Sequence, residues 1–145
     1  MRYEKISKAF LIEAKDDIEM AEIAYSHGKF SKAVYHSQQC VEKAFKAALV
    51  LKGKFISEHE VLTDFLKVYQ NELSRETIEK IMKDTPKLES QFKRVRYPLF
   101  GRTDLPIWIP SKEYDESDAK SAIEKANLIF GILSKYLEGK HRSSK

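Results

Sequence analysis

Apolar residues recur at three- and four-residue steps through most of this chain, and that period admits α-helices and little else. In the first segment Ile6, Phe10, Ala14, Ile18, Ala21 and Tyr25 keep the step with charges between them, and Gly28 supplies a C-terminal stop. A second helix runs from Ser31 to about Lys52, before Gly53, with Val34, Val41, Ala44, Phe45, Ala48 and Leu49 as its apolar stripe. Ser57 followed three residues later by Glu60 reads as a capping box, opening a third helix that buries Val61, Leu62, Phe65, Leu66, Tyr69 and Leu73. The fourth starts near Ser74 and carries Ile78, Ile81 and Met82. "TP" at 85–86 predicts a kink there, or a restart with Thr85 as N-cap, before Leu88, Phe92 and Val95 resume the stripe.

One stretch breaks the period. "RYPLFGRTDLPIWIPSKEYDES" holds Pro98, Pro106, Pro110, Gly101 and Trp108, the only tryptophan. Helix does not survive breakers so spaced, and a long connection of this kind in a small domain is uncommon and often functional. Its apolar members, Leu99, Phe100, Leu105, Ile107, Trp108 and Ile109, predict a loop packed on the bundle or on a partner. A last helix over about 117–138 buries Ala119, Ala122, Ile123, Ala126, Ile129, Phe130, Leu133 and Leu137 and stops at Gly139. The expected fold is all-α: an up-and-down bundle of four to five antiparallel helices with one long Pro-rich loop before the last. Residues 1–139 form the single domain, and 140–145 a basic tail that frays.

A chain of 145 residues buries enough surface to stand without disulfides or a structural metal, and its one cysteine excludes a multi-cysteine zinc site. The start, "MRYEKISKAF", has no secretory h-region, and no run is long enough to cross a bilayer, so a reducing cytoplasmic setting is expected. The net charge of +4 leans weakly towards anionic partners.

Two segments concentrate polar chemistry. On the second helix His36, Gln39, Lys43 and Lys46 share a stripe and Gln38 and Glu42 its neighbour. Local pairs Gln38–Glu42 and Glu42–Lys46 on a solvated face account for this; so would lysines facing a phosphate while glutamines contact a base or a second helix. His59, placed in the first turn of the third helix, reads as a neutral histidine bonded to a neighbour, since the helix N-terminus disfavours imidazolium. Cys40 reads as a core filler. In "KRVRYPLFGR" the residues Lys93, Arg94, Arg96 and Arg102 surround Tyr97: arginine binds phosphate bidentately and an aromatic stacks a base. Pairing of these arginines with acids of the last helix explains the composition equally well. No phosphate-loop, dinucleotide, zinc-protease or nucleophile-elbow motif is present, so no catalytic or metal-binding residue is assigned.

The order "GKFSKAVYHSQQCVEKAFKAALVLKG", "SEHEVLTDFL" and "RYP" before a final amphipathic helix resembles the HEPN family (higher eukaryotes and prokaryotes nucleotide-binding). The resembling positions are Phe30, Ala33, Gln38, Gln39, Glu42, Lys43, Lys46 and Ala47, then His59, Val61 and Leu62, then Arg96, Tyr97 and Pro98. The resemblance implies a homodimeric bundle that binds a nucleotide, such as ATP, or assists a separately encoded minimal nucleotidyltransferase, with no resident cofactor. Lys43, Lys46, His59, Arg94, Arg96, Tyr97 and Arg102 become the candidate nucleotide contacts; Gln38, Gln39, Glu42 and Trp108 become candidates for helix or dimer contact. Many relatives are ribonucleases of toxin–antitoxin pairs with an Arg-x(4–6)-His motif. None of His27, His36, His59 and His141 has an arginine at that spacing, so a non-catalytic role is expected, with RNA binding or cleavage, or a purely structural module, as alternatives.

Overall fold

The computed structural model describes residues 2–101, 104 and 106–143, the side chains of Arg142 and Ser143 excepted. Among the described residues six helices follow in order: α1 Arg2–Ser26, α2 Phe30–Leu51, α3 Leu62–Tyr69, α4 Arg75–Glu89, the single turn α5 Pro110–Glu113, and α6 Glu116–Ser143. No strand forms among the described residues beyond one antiparallel bridge, Leu99 to Trp108. The all-α bundle expected from the periodicity is therefore observed.

α2 is the hub. α1 and α6 pack along it, and α3, α4 and α5 lean on its remaining face. It can serve every neighbour because its buried positions are mostly small: Ala33, Ala44, Ala47 and Ala48 are closed off together with Val41, Phe45 and Leu49. α1 answers with Ala14, Ala21 and Ala24, which lets the two backbones approach closely. Between α2 and α3, Phe45 meets Phe65 at a tilt and Phe65 stacks on Tyr69, whose hydroxyl donates to the Ala48 carbonyl at 2.5 Å.

The turns close as the glycines predict. Gly28 (φ 71°) and Gly53 (φ 76°) take the left-handed conformation, while Lys29 N–H bonds the Ala24 carbonyl and Lys54 N–H the Leu49 carbonyl. These six-to-one bonds satisfy carbonyls that the helix ends would otherwise orphan.

Four local expectations fail, each for a physical reason. Ser57 and Glu60 do not cap α3: its first N–H groups, those of Val61 and Leu62, bond Oε2 of Glu89 at 2.5 and 3.1 Å. A carboxylate from the end of α4 thus does the capping, and His59 lies in the connection before α3 instead of in its first turn. α4 does not restart at Pro86 but is helical through it. Ile81, Thr85 and Leu88 stay buried on one face across the proline, and the carbonyl it cannot serve belongs to exposed Met82. Thr85 is interior to the helix, not an N-cap. Lastly, α6 passes Gly139 and reaches Ser143, because His141 is buried against Ser7. Ser7 Oγ donates to the Ala47 carbonyl, so it accepts from His141 Nε2, and burial beside Lys8 holds that imidazole below the ordinary histidine pKa. The expected frayed tail from residue 140 is helix at least that far.

The loop after α4 is pinned to the bundle. Trp108 Nε1 donates to the Arg94 carbonyl at 2.7 Å, its ring meets Tyr114 edge-on, and the Arg94 guanidinium lies over it. The Leu99–Trp108 bridge exchanges both backbone hydrogen bonds at 3.0 Å. Phe100 and Ile107 remain exposed.

Candidate polar and aromatic site on the second helix

Two carboxylates organise the polar side of α2. Asp17 sits in the buried register of α1, three residues after Ala14 and four before Ala21, and is itself buried. It binds His36 Nδ1 at 2.8 Å with one oxygen and the Lys43 ammonium with the other. Burial opposes its ionisation, yet the hydrogen bonds from His36 and Lys43 outweigh that cost and hold its pKa below the ordinary aspartate value. Glu42 is equally closed off. It accepts from Gln38 (3.2 Å), Gln39 (3.4 Å) and Lys46 (3.0 Å), and it takes His59 Nδ1 at 3.2 Å.

Arg96 completes the site from the far side. Its guanidinium lies over the rings of Phe92 (4.7 Å), Tyr35 (5.2 Å) and Tyr97 (5.6 Å) and has no carboxylate partner among the described residues. Phe92 in turn stacks on His59, with ring centroids 3.9 Å apart and planes 16° from parallel. Glu42, His59, Phe92, Arg96 and Tyr35 thus form one connected run, with Tyr35 meeting His36 at its other end, 4.9 Å between ring centres. A cation on aromatic faces keeps its N–H edge for an anion, and an imidazole held through Nδ1 presents Nε2 to whatever binds.

Of the residues expected from sequence, His59, Arg96 and Tyr97 come together here, with Tyr97 and His59 about half exposed. Lys43 and Lys46 border the site, but each ammonium is held by a buried carboxylate. Arg94 faces the other way, onto Trp108, and Arg102 lies outside the described residues. Gln38 and Glu42 are buried inside their own network, Gln39 is partly buried, and Trp108 docks on its own bundle. Cys40 is buried, and burial pushes its thiol up to about 12, which fits a core filler.

Three members of the site escaped the sequence reading. Tyr35 is four residues before Gln39 and shares its face, so helical period alone could have found it. Asp17 had a signal too, an acid in an otherwise apolar register. Nothing local marked Phe92 as the ring beneath both His59 and Arg96.

A cavity of about 410 Å³ lies elsewhere, between Leu11 and Ile12 of α1 and Phe130 of α6, and shares no residue with the polar network. No group of three metal-ligating side chains occurs among the described residues, and none of their helices is long and apolar enough to cross a membrane.

Comparison with known proteins agrees with this architecture. A Methanocaldococcus jannaschii protein described as "Putative toxin MJ1304" is 34% identical over 143 residues, spanning 94% of this chain and 91% of its own length. The crystal structure of TT1696 from Thermus thermophilus superposes with a TM-score of 0.71 at 20% identity, covering 89% of this chain and 96% of that one, a likeness of fold. That of ST0689, an archaeal HEPN homologue, gives 0.66 at 25% identity over 90% and 97% of the two chains. The chain also matches the HEPN domain family over residues 7–136, nearly its whole length, and it belongs to that family.

Proposed function

We propose that this HEPN protein binds a nucleotide through Arg96 and the rings around it, and acts without chemistry of its own beside a separately encoded minimal nucleotidyltransferase. One observation carries the reading: Arg96 is a guanidinium without a carboxylate partner among the described residues, seated on three aromatic rings beside an anchored imidazole. Such a group suits a phosphate, and half-exposed Tyr97 lies beside it. Lys43 and Lys46 add positive potential near the site although their own carboxylates hold them. A cytoplasmic homodimer is the setting we assign, with a surface other than Gln38 and Glu42 at its interface.

The test is calorimetric titration with ATP. A saturable heat in the wild type that vanishes in Arg96→Ala, at unchanged thermal stability, supports the assignment. Equal affinity in the variant overturns it.

A second reading has its own observation. His59, fixed by Glu42 and sharing Phe92 with Arg96, supplies from the α2–α3 connection an imidazole that the Arg-x(4–6)-His spacing does not provide. An oriented imidazole beside a cation is what activation of a ribose 2′-hydroxyl needs, and the relative described as a toxin keeps RNA in view. Cleavage of RNA in the presence of a chelator, lost in His59→Ala, supports this reading; intact RNA after long incubation at high protein concentration rejects it.

A further inference from the structure

Beside the polar network lies a smaller recess that neither reading uses. It measures about 180 Å³ and is walled by Phe10 of α1, Val50 of α2, and Phe55 and Ile56 of the connection that follows Gly53. Lys46, Lys54 and Ser57 complete its rim. Lys46 belongs to both places: its chain lines the recess while its ammonium bonds Glu42, which holds His59. Lys54 has no ion pair among the described residues, and Phe55 is largely exposed, held edge-on against Tyr3.

We propose that this recess is the base subsite of the nucleotide site: a heteroaromatic ring enters between Phe10 and Phe55, and the phosphates run past Lys54 and Lys46, over His59, to Arg96. The inference rests on the nucleotide reading given above and adds where the ring goes. Size limits the occupant, since pockets that enclose a whole drug-sized ligand begin near ~300 Å³; this one takes a single ring system and leaves the rest of the ligand outside. Chemistry limits it as well, because the walls are aromatic and aliphatic while the charged side chains at the rim are both cationic. A planar ring with an anionic extension satisfies both. An uncharged apolar ligand leaves Lys54 unused, and a bare phosphate leaves the walls unused.

The experiment compares ATP with inorganic tripolyphosphate, which has the anion without the ring, by calorimetry on the full chain. In the wild type ATP binds about tenfold more tightly, the order expected for one stacked base. Ile56→Trp, which fills the recess, and Phe55→Ala, which removes a wall from the protein surface, bring ATP affinity down to that of tripolyphosphate and leave tripolyphosphate unchanged. Arg96→Ala lowers both ligands. Equal wild-type affinities for the two ligands overturn the base subsite while the phosphate site stands. Binding of neither ligand overturns the nucleotide reading and the subsite with it. A preference for ATP that survives in Phe55→Ala places the ring elsewhere and overturns the subsite; because Phe55 is largely exposed, this variant gives the answer even where Ile56→Trp misfolds.

Discussion

Replacing Glu89 separates two things its carboxylate does: satisfying the first N–H groups of α3, and holding in place the connection that carries His59. Glu89→Ala leaves the Val61 N–H, in a buried residue, without an acceptor, and the half-covered Leu62 N–H dependent on water. A buried donor left unpaired costs about 1–3 kcal/mol and a lost helix cap about 1 kcal/mol. Burial also makes the ionised carboxylate costly, with Glu60 and Glu42 close enough to add to the effect, so its pKa stands above the ordinary glutamate value and removal returns part of that cost. The net loss at pH 7 should be about 2 kcal/mol, or roughly 4–8 °C in Tm for a chain of this size. Glu89→Gln keeps a carbonyl acceptor and should lose less than about 1 kcal/mol at pH 7.

The pH dependence carries a definite sign. A carboxyl whose folded pKa is raised contributes stability that is fully present below the unfolded value and disappears as pH rises through the folded one. The wild type therefore holds an advantage over Glu89→Gln that grows as pH falls from 7 to 4. Urea denaturation of the three proteins at both pH values reads all of this. Equal losses for the alanine and glutamine variants at pH 7 would show that charge or packing, not acceptance of the two N–H groups, is what Glu89 supplies, and the reasoning would fall.

Asp17→Asn should cost about 1–2 kcal/mol at pH 7, since Lys43 loses its counter-ion while remaining partly exposed. Because the folded Asp17 pKa is lowered, the contribution is present above the ordinary carboxylate range and is lost as pH falls through the lowered value, so wild type and variant should converge in acid; parallel urea curves over that range would contradict the ion-pair account. Tyr69→Phe should cost about 1–2 kcal/mol by leaving the Ala48 carbonyl without its donor, a loss that thermal denaturation measures directly.

The helices were legible because burial and period coincide: Ala14, Ile18 and Ala21 in α1, or Ala126, Ile129 and Leu133 in α6, advertise their face one turn at a time. Ser74 was legible for the same reason, since an N-cap and the Thr77 N–H it accepts are three residues apart. What sequence could not show was closure over distance. Glu89 caps a helix that begins 27 residues earlier, and its candidate competitors Ser57 and Glu60 have the better local pattern. His59 and Arg96 were each singled out, but their meeting on Phe92 depends on how α4 ends against α2. Gln38 was legible in part: its pair with Glu42, one helical turn on, forms as expected, but on a buried face where a solvated one was expected.

The uneven grip of α2 on its neighbours has a consequence for motion. α1 and α6 clasp it along its length, whereas α3 and α4 touch it over short spans and are latched to each other by one carboxylate. Opening of such a segment as a unit costs less than global unfolding, and here it must separate Phe65 and Tyr69 from Phe45. Were α3 and the end of α4 to swing out together, His59, Phe92 and Arg96 would leave with them, while Tyr35, Glu42 and Lys46 stayed behind on the hub. The polar site would then exist only in the closed form, and any ligand held across it would act as a clasp between the two halves of the bundle.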